Sequence, residues 1–193
     1  MSPQERLGSP RLRAFVALDL PSVFLDPLVA WRSSAYAGRT DVRLPRPETL
    51  HVTLIFLGYQ AERDIGRLEE IAFAAEPPSA LLHARETRAL PPRRTRLHAL
   101  DLADLDGALE RWQQELSRRL AAAGLYEPEK RPFWPHVTLA RAKRPAPGPG
   151  EAPPLPESLA VSFPAGRVTL YRSTLLPQGA RYDALATRVA GGS

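Results

Sequence analysis

Cysteine is absent from all 193 residues, which excludes disulfides, thiolate nucleophiles and cysteine-based zinc or iron–sulfur centres together and leaves the redox compartment unreadable. Lysine is nearly absent too: of 26 basic residues only Lys130 and Lys143 are lysines. No run approaches the roughly 18 apolar residues of a membrane-crossing helix. Residues 1–21 lack a sustained apolar core between a basic flank and a cleavage site, so neither a span nor a leader is expected, and a cytoplasmic location follows. What is present suits a folded protein. Hydrophobic residues make up 44% and charged residues 24%, close to globular averages, and the length suffices for one domain with a substantial interior. A net charge of +5 points to anionic partners such as phosphates or nucleic acids. The arginine skew, beside abundant alanine, proline and leucine, reflects GC-rich coding as much as any binding requirement.

Pro3, Gly8 and Pro10 mark residues 1–10 as a loose arm, and the prolines and glycines over 145–158 mark an exposed loop that adds little to the core. Between them the patterns alternate. Strands are expected at Leu12–Leu20, Leu50–Gly58, Ala80–Ala89, Thr95–Leu102, Phe133–Ala142, Arg167–Thr174 and Arg181–Val189. Helices are expected after Pro21, with Ser22 as cap, Val23, Leu25, Leu28, Val29 and Trp31 on the apolar face and Pro27 as a possible kink; over Arg63–Ala75; and over Leu105–Ala123, with Leu105, Leu109, Trp112, Leu116 and Leu120 as the apolar stripe. The class is α+β.

The most informative feature is a repeat: His51-Val52-Thr53-Leu54 and His136-Val137-Thr138-Leu139 are identical and lie 85 residues apart. Each follows a proline-bearing turn segment and opens an apolar strand. On a strand, residues two apart share a face, so each copy presents one imidazole beside one hydroxyl while its valine and leucine turn inward. If the two copies meet about a pseudo-twofold axis, two titratable groups and two neutral donors surround a space suited to a tetrahedral phosphate. His83 and His98 stand outside the repeat and read as structural. Threonine rather than a metal ligand at the second position after each histidine argues against zinc. The basic groups Arg85, Arg88, Arg93, Arg94, Arg96 and Arg141, Lys143, Arg144 read either as a nucleic-acid track or as a solvated face. Trp112 reads as core, and Trp134 as core or cleft wall.

With paired His-x-Thr-x motifs, the sequence resembles the 2H phosphoesterase family, in particular its RNA 2′,3′-cyclic phosphodiesterase branch, which is LigT-like and related to 2′-5′ RNA ligases. The resemblance extends over nearly the whole chain, through the opening strand Arg13–Pro21, the stretches Glu48–Gly58 and Phe133–Arg141, and the late strand Val168–Ser173. It implies a bilobal, pseudo-twofold fold with antiparallel sheets flanked by helices around a central cleft, built as a single domain of two intertwined lobes over residues 1–193. It departs in having His98 where many relatives carry tryptophan, and a longer proline-rich loop.

The implied activity is metal-independent hydrolysis of 2′,3′-cyclic phosphates on RNA ends or nucleotides to 2′-phosphates by a monomer without cofactors, with 2′-5′ joining as the reverse direction. By the same resemblance His136 activates water, His51 protonates the leaving 3′ oxygen, Thr53, Thr138 and Arg141 bind the phosphate, and Phe15 lies near the nucleobase. Two histidines suffice for the proton transfers because an imidazole titrates near about 6.5. Two alternatives stand beside this reading: the same apparatus acting on another cyclic phosphate or a 2′-5′ linkage, and a non-catalytic RNA-binding module.

Overall fold

The computed structural model describes residues 10–143, 150–177 and 179–191. Along the chain run β1 (Arg11–Asp19), α1 (Ser22–Ala35), β2 (Val42–Arg43), β3 (His51–Ala61), α2 (Ile65–Ala72), β4 (Leu81–Leu90), β5 (Leu97–Asp104), α3 (Ala108–Ala122), β6 (His136–Ala142), β7 (Ser162–Pro164), β8 (Arg167–Leu176) and β9 (Gly179–Val189). Every pairing is antiparallel, in the order β7-β4-β5-β6-β3-β1-β8-β9, with β2 beside β6. The expected α+β class and antiparallel sheet both hold. Between β3 and β6 the ladder narrows to one residue pair, Val52 with Val137, so two halves of the sheet meet at a seam through the middle of the repeated motifs.

The two halves carry the same local register. Ala17, Leu18 and Asp19 of β1 face Thr53, Val52 and His51 of β3, and Ala99, Leu100 and Asp101 of β5 face Thr138, Val137 and His136 of β6. Both pairs also slip at the same place: Val16 faces Ile55 and His98 faces Ala140, leaving Leu54 and Leu139 as extra residues. Such a bulge shifts the inward and outward alternation by one position. The seam therefore relates two matching β-ribbons by an approximate twofold.

Ala14 to Leu18 are all at most 3% exposed because β1 lies between β3 and β8 in a covered sheet, which is why its apolar run is continuous rather than alternating. Leu109, Trp112, Leu116 and Leu120 of α3 pack into the same core as expected, and the Gln113 amide donates to the Leu54 carbonyl at 3.2 Å, tying α3 to the bulge of β3. Leu105 does not share that face. It is exposed, because Gly107 turns left-handed at φ 66° and the Asp106 and Asp104 carboxylates accept the amides of Ala108 and Glu110, starting the helix at Ala108.

In α1, Val23 is likewise solvent-facing, and Ser22 is the first helical residue behind Pro21 rather than a side-chain cap. The helix runs unbroken through Pro27, whose missing amide costs a bond only to the exposed Val23 end. The arm at 1–9 and the loop portion 144–149 lie outside the described residues. From Gly150 onward the loop is tied down: Thr87 donates to the Pro153 carbonyl at 2.6 Å, and Leu155 packs against the core that Leu159 joins. Among the described residues no helix is long and apolar enough to cross a membrane.

Candidate active site

Each repeated histidine is the first residue of its strand, placed by the turn before it: a 3-10 turn at Pro47–Thr49 for His51 and the Pro135 peptide for His136. The two imidazoles are fixed identically. Nδ1–H of His51 donates to the Thr49 carbonyl at 2.7 Å, and Nδ1–H of His136 donates to the Trp134 carbonyl at 2.9 Å. A carbonyl can only accept, so in the neutral rings the proton resides on Nδ1 and Nε2 is left as the basic nitrogen. The Thr53 hydroxyl reaches His51 Nε2 at 3.0 Å. Continuing the Val52–Val137 register places His51 opposite Thr138 and Thr53 opposite His136, so the two imidazole–hydroxyl pairs are brought together diagonally across the seam.

Sequence reasoning missed the groups behind the histidines. Asp19 and Asp101 each lie directly across the ladder from one of them. Asp19 accepts from the hydroxyls of Tyr171 and Thr169, both at 2.8 Å. Asp101, only 2% exposed, accepts from Trp134 Nε1 at 2.6 Å and pairs with Arg88 at 2.8 Å. Burial, reinforced by Asp19, pushes the Tyr171 phenol up to about 12, so it remains a donor. A readable signal existed: Ala17-Leu18-Asp19-Leu20 and Ala99-Leu100-Asp101-Leu102 are a second identical tetrapeptide pair.

Both imidazoles are held below the usual histidine range, chiefly by burial, with Arg141 adding to the effect on each. The carbonyl bonds and the facing aspartates oppose it: Asp19 raises His51, and Asp101 raises His136. Trp134 resolves as more than core or wall, since its ring stacks on His136 at 4.2 Å and 13° while its nitrogen binds Asp101. Replacing Asp101 with asparagine keeps an acceptor but removes the charge. It is expected to cost about 1.5–3 kcal/mol, the worth of a charge-assisted bond, and to move the His136 limb of a pH–rate profile to lower pH. Thermal melts and the profile check both; an unmoved limb would disconnect Asp101 from His136.

A cavity of about 390 Å³ opens on the repeated motifs, lined by His51, Thr53, His136, Thr138, Arg141 and Phe15. That volume suits a nucleotide-sized ligand. Strict alternation would point Arg141 away from His136; the bulge at Leu139 turns it back onto the cleft face. Phe56 is the matching residue on the other ribbon, five after His51, and it also lines the cavity, with the Arg13 guanidinium 4.5 Å over its ring. Phe15, 3% exposed, forms the floor, tilted against His51 at 5.0 Å and meeting Tyr182 edge-on at 4.8 Å. Arg13, Arg43 and Tyr182 also line it and were not foreseen, because each comes from a strand paired only in the fold.

The other histidines have structural partners: His98 accepts from the Tyr36 hydroxyl at 2.8 Å and donates to the Gly150 carbonyl at 3.2 Å, and His83 bonds Ser162 at 3.0 Å. The basic groups divide. Arg88 is paired with Asp101 and Glu86, whereas Arg85, Arg93 and Arg94 are exposed; Arg144 lies outside the described residues. No set of three or more His, Asp or Glu side chains among the described residues is arranged to hold a metal.

Comparison with known proteins bears on the family and the fold. Residues 100–182 match the family model of LigT-like phosphoesterases. An RNA 2′,3′-cyclic phosphodiesterase of Thermus thermophilus is 30% identical over 191 residues, covering 90% of this chain and 88% of that protein. One from Escherichia coli K12 is 27% identical, covering 90% and 93%. Among solved structures, one from Thermus thermophilus aligns with a TM-score of 0.78 at 27% identity over 94% of this chain and 99% of its own. E. coli LigT complexed with 3′-AMP gives 0.76 at 25% identity, over 95% and 100%. The doubled motif, the seam that joins its copies and the near full-length likeness converge on one assignment: this chain belongs to the LigT-like phosphoesterase family.

Proposed function

We propose that this protein hydrolyses 2′,3′-cyclic phosphates on RNA ends or nucleotides to 2′-phosphates, using two histidines and no metal. The observation that carries the reading is the matched pinning of both imidazoles through Nδ1, which leaves two Nε2 atoms and two threonine hydroxyls to converge on one anion-sized space. Ring opening needs a base for water, an acid for the departing oxygen and donors for the phosphoryl oxygens. His136 takes the proton of the attacking water, and His51 delivers one to the 3′ oxygen. Thr53, Thr138 and Arg141 hold the non-bridging oxygens. Phe15 forms the base of the nucleoside pocket, with Tyr182 as its more accessible ring. The two halves of the sheet act as intertwined lobes of one domain. All these groups come from one chain, so a single copy carries the complete site, and the reading takes a monomer working in the cytoplasm as the functional unit.

Purified protein incubated with 2′,3′-cyclic AMP, with and without EDTA, is expected to yield 2′-AMP at equal rates. A 3′-phosphate product, or loss of turnover with chelator, would overturn the reading. Binding of the cyclic end without turnover would instead mark an RNA-binding module.

The pH dependence has a definite sign. Both imidazoles titrate below the ordinary value of about 6.5, and kcat/KM reports the free enzyme. One ring must be neutral and the other protonated, so the kcat/KM profile is expected to peak below pH 6.5. The kcat profile should lie higher, because the bound phosphate anion restores the acid's proton. Stability follows the same linkage: lowered folded values leave both histidines' contribution intact above about 6.5 and remove it as the pH falls from there through the folded values. A kcat/KM profile with both limbs above 6.5 would contradict the burial argument.

A further inference from the structure

The two bulges that aim side chains into the cleft are each held from behind by a helix. The Leu54 carbonyl accepts from the Gln113 amide of α3 at 3.2 Å, and the Leu139 carbonyl accepts from Nη1 of Arg32 in α1 at 3.4 Å. The arrangement is crossed. α1 follows β1 yet grips β6 of the other ribbon, and α3 follows β5 yet grips β3. A bulge leaves its extra residue outside the ladder, so a buried carbonyl there must find its donor elsewhere.

On the β6 side the grip is wider than one bond. Tyr36, one turn after Arg32, donates its hydroxyl to Nδ1 of His98 at 2.8 Å. Burial holds that phenol well above its ordinary range, so it keeps its proton. His98 faces Ala140 beside the slip in the β5–β6 ladder. Tyr36 and Val42 pack with Ala140, and Arg43, next to Val42, faces Arg141 across the β2–β6 ladder. The stretch from Leu139 to Arg141 is thus held by the last turn of α1 together with β5 and β2.

Arg32 is a costly way to satisfy one carbonyl. It is 2% exposed, burial holds its guanidinium below the ordinary arginine range, and its enclosed Nε meets no acceptor among the described residues. An apolar chain of similar length would be neutral or stabilising in such a place, so packing alone does not account for the cation.

We propose that Arg32 and Tyr36 are positioning residues: by fixing the Leu139 bulge they set the direction of the Arg141 guanidinium in the phosphate site. The inference rests on the function proposed above. Neither residue lines the cavity, so both act through Arg141 and not on substrate.

The test uses the full chain and 2′,3′-cyclic AMP. Arg32→Met should lower kcat/KM about 5- to 50-fold and Tyr36→Phe about two- to fivefold, below the roughly 10²-fold cost of a full misplacement of about 1 Å. Both should move the limbs of the kcat/KM profile to higher pH, the direction expected when the Arg141 guanidinium leaves the imidazoles. In an Arg141→Gln background neither change should matter by more than about twofold, because a residue acting through a missing group has nothing left to position. The melting temperature of Arg32→Met should hold or rise, and Tyr36→Phe carries the same test if Arg32→Met does not fold. Gln113→Met is the matched control: it releases the other bulge, which carries the uncharged Phe56, and its limbs should stay with those of wild type. Three results overturn the clamp: unchanged activity and limbs in the folded variants, losses as large in the Arg141→Gln background as in wild type, or a shift in Gln113→Met equal to that in Arg32→Met. Absence of hydrolysis in wild type would instead overturn the underlying reading of the cavity.

Discussion

His136→Ala is expected to lower kcat on 2′,3′-cyclic AMP by about 10²- to 10⁴-fold, the usual worth of a positioned acid or base. His51→Ala should fall in the same range. On the proposed mechanism the two act on one transition state, so the double variant should lose much less than the product of the single losses. Folding is not at stake, since both rings are only partly buried and each makes its fixing bond to a carbonyl that water can reach once the ring is gone. Thermal melting therefore separates a chemical loss from a structural one. Activity above a tenth of wild type in either well-folded single variant would remove that histidine from the reaction.

Arg141→Gln should carry the next largest effect. Hydrogen bonds to a charged group contribute about 1.5–3 kcal/mol, so kcat/KM should drop about 10- to 150-fold. Lysine should rescue little, because it lacks the planar fork that binds two oxygens at once. A second readout distinguishes phosphate binding from general disruption. The Arg141 guanidinium helps hold both imidazoles below their ordinary range, so its removal should move both limbs of the kcat/KM profile to higher pH. A drop in activity with an unmoved profile would separate Arg141 from the histidines.

The repeated tetrapeptides made the chemistry readable, because a four-residue identity is visible without knowing which strands pair. Alternation put each histidine and threonine on one face, and the burial of Val52, Leu54, Val137 and Leu139 follows it. Alternation also fails at a definite place. The bulges at Leu54 and Leu139 leave no mark in composition, and they alone bring Phe56 and Arg141 to the cleft. Asp19 and Asp101 were legible in principle as a second repeat, but their relevance depends on β1 pairing with β3 and β5 with β6. Leu105 and Val23 fitted a helical stripe by spacing, yet the helices begin too late or rotate too far to bury them, a matter of capping at Gly107 and Pro21. Tyr182 and Arg43 reach the cavity from strands distant in the chain, and no local pattern announces them.

A perfectly symmetric cleft would bind a cyclic phosphate equally well in either of two orientations, and half its encounters would present the ring backwards. The two bulges sit at equivalent positions and deliver unlike side chains, an arginine on one ribbon and a phenylalanine on the other. That inequality puts a guanidinium, free among the described residues, on one ribbon and, on the other, a ring capped by the Arg13 guanidinium. On the mechanism proposed above, such an inequality would favour one pose for the sugar and with it a division of labour between the two imidazoles.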